Sequence, residues 1–192
     1  PQEMFLQILT RIDEVQNPYL KRLLESYFVE GEAFVNKFMV HPAAKNVHHN
    51  FVGGLLEHVS TVMEICCYLG TLYSGVNRDL LIAGALFHDI GKLSMPQYFT
   101  ENNLDSANQH LDLNPQMSSI IIRDHVKEGL ALARQYRMCR TVRDAIRQHH
   151  GNDLVKFFYN KALEEQKGGN SAPVLESQFR YDGIPAASRA GS

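Results

Sequence analysis

Cysteine is scarce in this 192-residue chain. Its three thiols, Cys66, Cys67 and Cys139, are odd in number and include an adjacent pair, a poor framework for disulfides and a good match to a reducing compartment. They read as small buried apolar residues, and the expected location is cytoplasmic. Long apolar runs are also missing. The strongest, Leu80 to Phe87, falls far short of the about 20 residues that a membrane span needs. With no signal peptide ahead of the first helical segment, the expectation is a chain without a membrane span. The start at Pro1 and the closing Gly191-Ser192 read as edges of a longer protein, so a membrane-anchored parent stays compatible. Charge of one sign is lacking too. A net charge of −2 does not favour a long nucleic-acid partner, which calls for a basic face. A small anionic ligand needs less, because a few local cations or a metal can hold it.

Strand-like alternation and internal repeats are absent, and helical periodicity takes their place. Met4 to Val15 carries Phe5, Ile8, Leu9 and Ile12 on one face. Pro18 opens a second helix through about Val29, a suitable first-turn position. A short third helix covers Gly31 to Val40 and stops before Pro42, and residues 43–54 read as an irregular approach. The strongest stripe is Leu55, Val59, Val62, Cys66 and Leu69, followed by a helix from Asn77 to about Asp89 whose small residues allow close packing. Ser94 to Asn114 is polar and reads as a loop or lid. Further helices are expected from Pro115 towards His125, from Val126 to Tyr136, from Arg140 to His150 and from Asp153 to Glu165. Lys167 to Pro173 reads as a flexible loop, and the tail after Gln178 shows no pattern. The fold class is all-α, with one substantial hydrophobic core.

Nine histidines are many for this length. A lone one is more often a hydrogen-bonded surface or core residue than a ligand, and His41 and His110 are read that way. His88-Asp89 differs because it closes an apolar helix ahead of Ile90-Gly91-Lys92. Neighbouring helical residues point about 100° apart, so both reach one centre only near a helix end, where Gly91 removes an obstructing side chain. His149-His150 repeats the arrangement: Val142, Ala145, Ile146 and His149 share a face, and Gly151 supplies a stop. His58 lies between Leu55 and Val62, and His125 follows three isoleucines. Imidazoles in apolar surroundings need partners. A shared metal centre of His58, His88, Asp89, His125, His149 and His150 is the economical explanation. An imidazole and carboxylate set suits Mn, Fe, Zn or similar divalent ions.

These residues resemble the signature of the HD-domain metal-dependent phosphohydrolase superfamily over roughly Phe34 to Tyr181. Phe99-Thr-Glu-Asn102, Asn114-Pro115, His125-Val-Lys-Glu-Gly129, Gln148-His-His-Gly151, Phe157-Phe-Tyr-Asn-Lys-Ala162 and Phe179-Arg-Tyr181 are similar to the cytoplasmic HD domain of seven-transmembrane HD phosphodiesterases. The resemblance implies an HD-domain helical bundle over residues 42–192, with residues 1–41 as a helical segment packed on it. It implies hydrolysis of cyclic di-AMP to the linear dinucleotide by metal-activated hydroxide. The cofactors would be two divalent ions, Fe or Mn first, with Zn, Ni or Mg compatible. Asp89 would bridge them, and Lys92 would sit near the substrate phosphates as the second catalytic residue. His49 and Tyr98 are candidates for the substrate pocket, with His48 beside them, although solvent-facing loop histidines are an equal reading.

The chain departs from that pattern twice. Pro42 to His58 is similar instead to YhaM-type 3′-5′ exoribonucleases, so the chain reads as a mosaic, either a divergent natural subfamily or a fusion. A late metal-binding aspartate is expected ahead of Ala186-Ala187-Ser188-Arg189, yet Gly183-Ile184-Pro185 stands there and Asp182 is a poor substitute. An exoribonuclease or nucleotidase, and an HD module that binds nucleotides without turnover, are therefore kept beside the cyclic-dinucleotide reading. Arg134, Arg137, Arg140, Arg143 and Arg147 form a basic series that reads by default as a solvated helix face, against a nucleotide or RNA track. Phe99, Phe157 and Phe158 read as core.

Overall fold

The computed structural model describes residues 1–41, 53–99, 110, 113–169 and 173–184. The fold is an all-α bundle. Among the described residues there are eight α-helices and a single isolated bridge, between Leu154 and Arg180. The helices are α1 (Gln2–Asp13), α2 (Pro18–Phe28), α3 (Glu32–Val40), α4 (Gly54–Leu72), α5 (Arg78–Phe87), α6 (Pro115–Gln135), α7 (Arg140–Gln148) and α8 (Lys156–Lys167).

Three of these start on an asparagine cap that satisfies free backbone N–H groups. Asn17 accepts from the backbone N–H groups of Tyr19 (3.0 Å) and Leu20 (3.1 Å), Asn77 from that of Leu80 (3.1 Å), and Asn114 from that of Met117 (2.7 Å). Pro18 and Pro115 occupy the first turns behind two of those caps.

The core runs through Ile8, Leu24, Phe28, Leu56, Met63, Phe87 and Ile146, so α1 and α2 share it with α4, α5 and α7. Fully burying a ring such as Phe28 or Phe87 stabilises the fold by roughly 1.5–3 kcal/mol. Arg11 clasps Glu64 at 2.7 Å and Glu14 at 3.2 Å, and Arg78 pairs with Glu14, tying α1 to α4 and α5.

Three expected boundaries shift. The break expected between His125 and Val126 does not exist: α6 continues for 21 residues through both. Gly129 is tolerated mid-helix because close packing needs it, a Cβ there coming within 2.9 Å of an Ile146 methyl. The helix expected to run to about Asp89 stops at Phe87; His88 caps it and Asp89 leads into a 3-10 turn, Ile90–Ser94. The last helix begins at Lys156 instead of Asp153, because residues 153–155 pair with the C-terminal segment. Val155 N–H donates to the Phe179 carbonyl (2.9 Å), and Tyr181 N–H to the Asp153 carbonyl (3.0 Å).

Of the loop expected from Ser94 to Asn114, the described part includes a second 3-10 turn, Pro96–Tyr98, and a buried Phe99. Residues 100–109, 111 and 112 lie outside the described residues, as do His48 and His49. Phe158 is buried as expected, whereas Phe157 is half exposed. No helix among the described residues is long and apolar enough to cross a membrane.

Candidate metal centre

Four helices and one turn deliver their polar side chains to a single point. The turn after α5 is pressed onto α6 so tightly that a Cβ on Gly91 would lie 1.8 Å from the His125 carbonyl oxygen and 2.5 Å from the Gly129 nitrogen. Glycine is therefore obligatory at 91. That contact sets Asp89 beside His125, while α4 brings His58 and the end of α7 brings His149 and His150.

Asp89 is 2% exposed and divides its two oxygens. Oδ2 lies 3.3 Å from His58 Nε2 and 3.1 Å from His88 Nε2, and those two nitrogens are 3.1 Å apart. Oδ1 lies 3.4 Å from both His125 Nε2 and His149 Nε2, themselves 3.2 Å apart. His150 completes the second group, and its ring sits 5.1 Å from that of His125. Two ligand sets, His58–His88–Asp89 and Asp89–His125–His149–His150, thus share one carboxylate.

The protonation pattern tests whether these groups fit a cation. His88, His125 and His149 each turn Nδ1–H onto the carbonyl three residues earlier in the helix, of Ala85 (2.8 Å), Ile122 (2.7 Å) and Ile146 (2.8 Å). Such a bond fixes the tautomer and aims the Nε2 lone pair inward. With Nδ1–H committed in this way, the Nε2 atoms of His125 and His149 face each other 3.2 Å apart as lone pairs that cannot bond one another. Asp89 Oδ1 is buried between them with no hydrogen-bond donor. A divalent ion resolves both conflicts.

The electrostatics agree. Burial pushes the Asp89 carboxyl up, but the charges of Lys92 and His88 and the neighbouring imidazoles of His149 and His58 outweigh it and hold the group well below the usual carboxylate range. Asp89 is ionised at neutral pH. Burial pushes His125 down to about 4 and His150 down to about 2, so both are neutral, ready ligands. For His88 burial acts downward, yet the Asp89 charge prevails and raises it. Lys92 is buried, with Nζ 2.8 Å from Asp89 Oδ2 and 5.9 Å from the centre of the Phe99 ring.

Beside the centre opens a cleft of about 1140 Å³ between α4, α5 and α7. His58, His88, Asp89, Lys92, His149 and His150 form its polar end, and Val62, Cys66, Val76, Leu80 and Leu81 line an apolar arm. Tyr98 lies elsewhere. Its carbonyl accepts from His110 Nε2 (3.1 Å), its ring meets the His110 ring at 5.4 Å, and it is not among the residues lining this cleft.

Sequence reasoning missed Tyr181. Its ring stacks on His150, centroids 4.2 Å apart and planes 18° apart, and burial pushes its phenol up. Phe179-Arg-Tyr181 carried the only signal, as a motif without a role. Among the described residues no further carboxylate joins either ligand set, and Asp182 is in neither.

A family model described as "HD domain" matches residues 55–178. The chain belongs to the HD domain family. Members are metal-dependent phosphohydrolases, and the His/Asp cluster can hold metal. Among relatives, this HD domain is 43% identical over 109 residues to the cyclic-di-AMP phosphodiesterase PgpH of Bacillus subtilis, covering 57% of this chain and 15% of that protein. It is 39% identical over 108 residues to the 3′-5′ exoribonuclease YhaM of the same organism, covering 53% of this chain and 33% of the relative. Its fold matches the crystal structure of the Listeria monocytogenes PgpH HD domain in complex with cyclic-di-AMP, with TM-score 0.55 and 36% identity over 66% of this chain and 55% of that one. The chain thus spans a third or less of the two full-length relatives.

Proposed function

We propose that this HD domain is a two-metal phosphodiesterase that opens cyclic di-AMP to linear pApA, acting in the cytoplasm, with residues 1–41 as a helical cover on the catalytic domain. The observation that carries the reading is Asp89, whose two oxygens serve two separate histidine sets at 3.1–3.4 Å. His58, His88 and Asp89 would hold one ion, and Asp89, His125, His149 and His150 the other, Fe or Mn by preference, with Zn, Ni or Mg compatible. When bound, such a pair supplies an acidified water and a clamp on phosphate oxygens.

The chain's own groups do the rest. Asp89, ionised and buried, orders the histidines and balances the positive charge. Lys92 stands beside it as a cation poised to offset negative charge building on the phosphate. The apolar arm of the cleft offers a dry surface for a base. His49, outside the described residues, remains a candidate for substrate contact, whereas Tyr98 lies away from the cleft and would reach substrate only beyond its lining. The 39% identity to YhaM supports a second reading, removal of nucleotides from an RNA 3′ end.

The test is to incubate the metal-loaded domain with cyclic di-AMP, cyclic di-GMP and a short RNA and identify products by mass spectrometry. Linear pApA is expected. Shortened RNA with cyclic di-AMP untouched would replace the first reading with the second. Binding of cyclic di-AMP without any product would make the domain a nucleotide sensor.

A further inference from the structure

Four of the five arginines in the basic series converge. Leu130 and Arg134 of α6, with Arg140, Arg143, Asp144 and Arg147 of α7, line one cavity of about 240 Å³. Positions 140, 143, 144 and 147 lie three and four apart, so α7 presents them on one face. The corner joining α6 to α7 folds Arg134 over that face, while Arg137 is not among the lining residues.

Asp144 is the single carboxylate in the lining, and it is already shared. It pairs with Arg140 at 3.5 Å and Arg147 at 3.2 Å. Arg134 and Arg143 make no ion pair among the described residues. Arg143 is partly buried, and its Nε is shut off from water with no hydrogen-bond acceptor. Four arginines therefore line this cavity against one carboxylate, in a chain whose net charge is −2: Arg140 and Arg147 reach into solvent, with side chains 88% and 57% exposed, and Arg143 Nε is the buried donor without an acceptor.

We propose that this cavity is an anion site for a chain of two or three phosphates. Guanidinium forks bind phosphate oxygens in bidentate pairs. The volume is below the roughly 300–1,000 Å³ of clefts that enclose a whole small ligand, so the site grips the phosphates and leaves any nucleoside outside. Asp144 also lines the catalytic cleft, so the two cavities are neighbours that share this one residue. The inference does not depend on the phosphodiesterase reading.

The test uses the full chain stripped of metal by chelator and titrated calorimetrically with sodium tripolyphosphate, ATP and inorganic phosphate at low salt. One equivalent of tripolyphosphate is expected to bind, and inorganic phosphate at least tenfold more weakly. Arg134→Gln, at an exposed position where folding is not at issue, and Arg143→Gln should each weaken binding at least tenfold. Arg137→Gln should change it less than twofold, and His88→Ala should leave it intact. ATP binding as tightly as tripolyphosphate identifies a nucleotide tail as the source; tripolyphosphate alone identifies free oligophosphate. Absence of binding, equal weakening by Arg137→Gln, or loss of binding in His88→Ala overturns the proposal.

Discussion

Tyr181 lies flat against His150, ring centroids 4.2 Å apart, and so joins the C-terminal segment to the metal centre. The contact is held from behind. Arg123 on α6 donates to the carbonyls of Gln178 (2.9 Å) and Arg180, and Ile184 N–H donates to Gln148 Oε1 at 2.7 Å. A Cβ on Gly183 would come 2.1 Å from the Gly151 carbonyl oxygen, so the segment crosses the end of α7 at backbone contact. Among the described residues His150 makes no helix-carbonyl bond of the kind that orients His88, His125 and His149; the tyrosine ring takes that part. Tyr181→Ala should weaken metal binding at the His125–His149–His150 set by about 10–100-fold, whereas Tyr181→Phe, which keeps the stack, should stay within about threefold. Metal titration followed by competition with a chelator of known affinity reads both. Equal loss in the two variants would assign the effect to the hydroxyl instead.

Lys92 and the histidines should separate under mutation. Lys92→Met is expected to retain metal while lowering kcat by about 10²–10³-fold, the loss typical of one group that stabilises transition-state charge. His58→Ala should lose one ion and His150→Ala the other, each retaining part of the total. Metal analysis beside steady-state kinetics distinguishes these outcomes.

Gly91→Ala should be far more damaging than its size suggests. The added methyl group would have to occupy space within 1.8 Å of the His125 carbonyl oxygen, which is backbone and has no rotamer to yield. The turn must lift off α6, separating Asp89 from His125. A loss of about 3 kcal/mol or more in urea unfolding is expected, with loss of metal.

Acid should destabilise the metal-free domain. His125 and His150 titrate at about 4 and about 2 in the fold, against 6.5 when unfolded, because burial disfavours their charged forms. Between those values the unfolded chain binds more protons, so stability falls as pH drops below 6.5. Asp89, held well below 3.8, adds a loss in the same direction at lower pH. His88, raised above 6.5, acts oppositely: its contribution is full below 6.5 and is lost as pH rises through its folded value. Below pH 6.5 the His88 contribution is already full, so the two depressed groups dominate and unfolding takes up protons between pH 6 and 4.5. Urea melts at pH 7 and pH 5 should show the lower midpoint at pH 5. A higher midpoint at pH 5 would contradict the neutral state of His125 and His150.

Much of this site was readable from residue order because its geometry is local. His88-Asp89 at a helix end, Gly91 two residues on and His149 on the Val142–Ile146 face all follow from helix periodicity. Asn17-Pro18 and Asn114-Pro115 likewise mark real helix starts. What stayed hidden depends on contacts distant in sequence. α6 looked divided at His125 because it serves two clusters: Ile122 packs with Phe158 and Ala162 of α8, and Leu130 and Ala133 with the main core that holds Val142 and Ile146 of α7. Tyr181 acts 31 positions away from His150, through a loop closure that no periodicity records. Arg137 is indistinguishable in the sequence from Arg134 and Arg143, and only the corner between α6 and α7 separates them.

The central claim is that Asp89 joins two metal sites, and metal stoichiometry tests it most directly. Elemental analysis of the loaded, gel-filtered domain should find two divalent ions per chain, and fewer than one in Asp89→Ala, with the helical circular dichroism signal retained. One ion per chain in the parent protein, or unchanged occupancy in Asp89→Ala, would contradict the account.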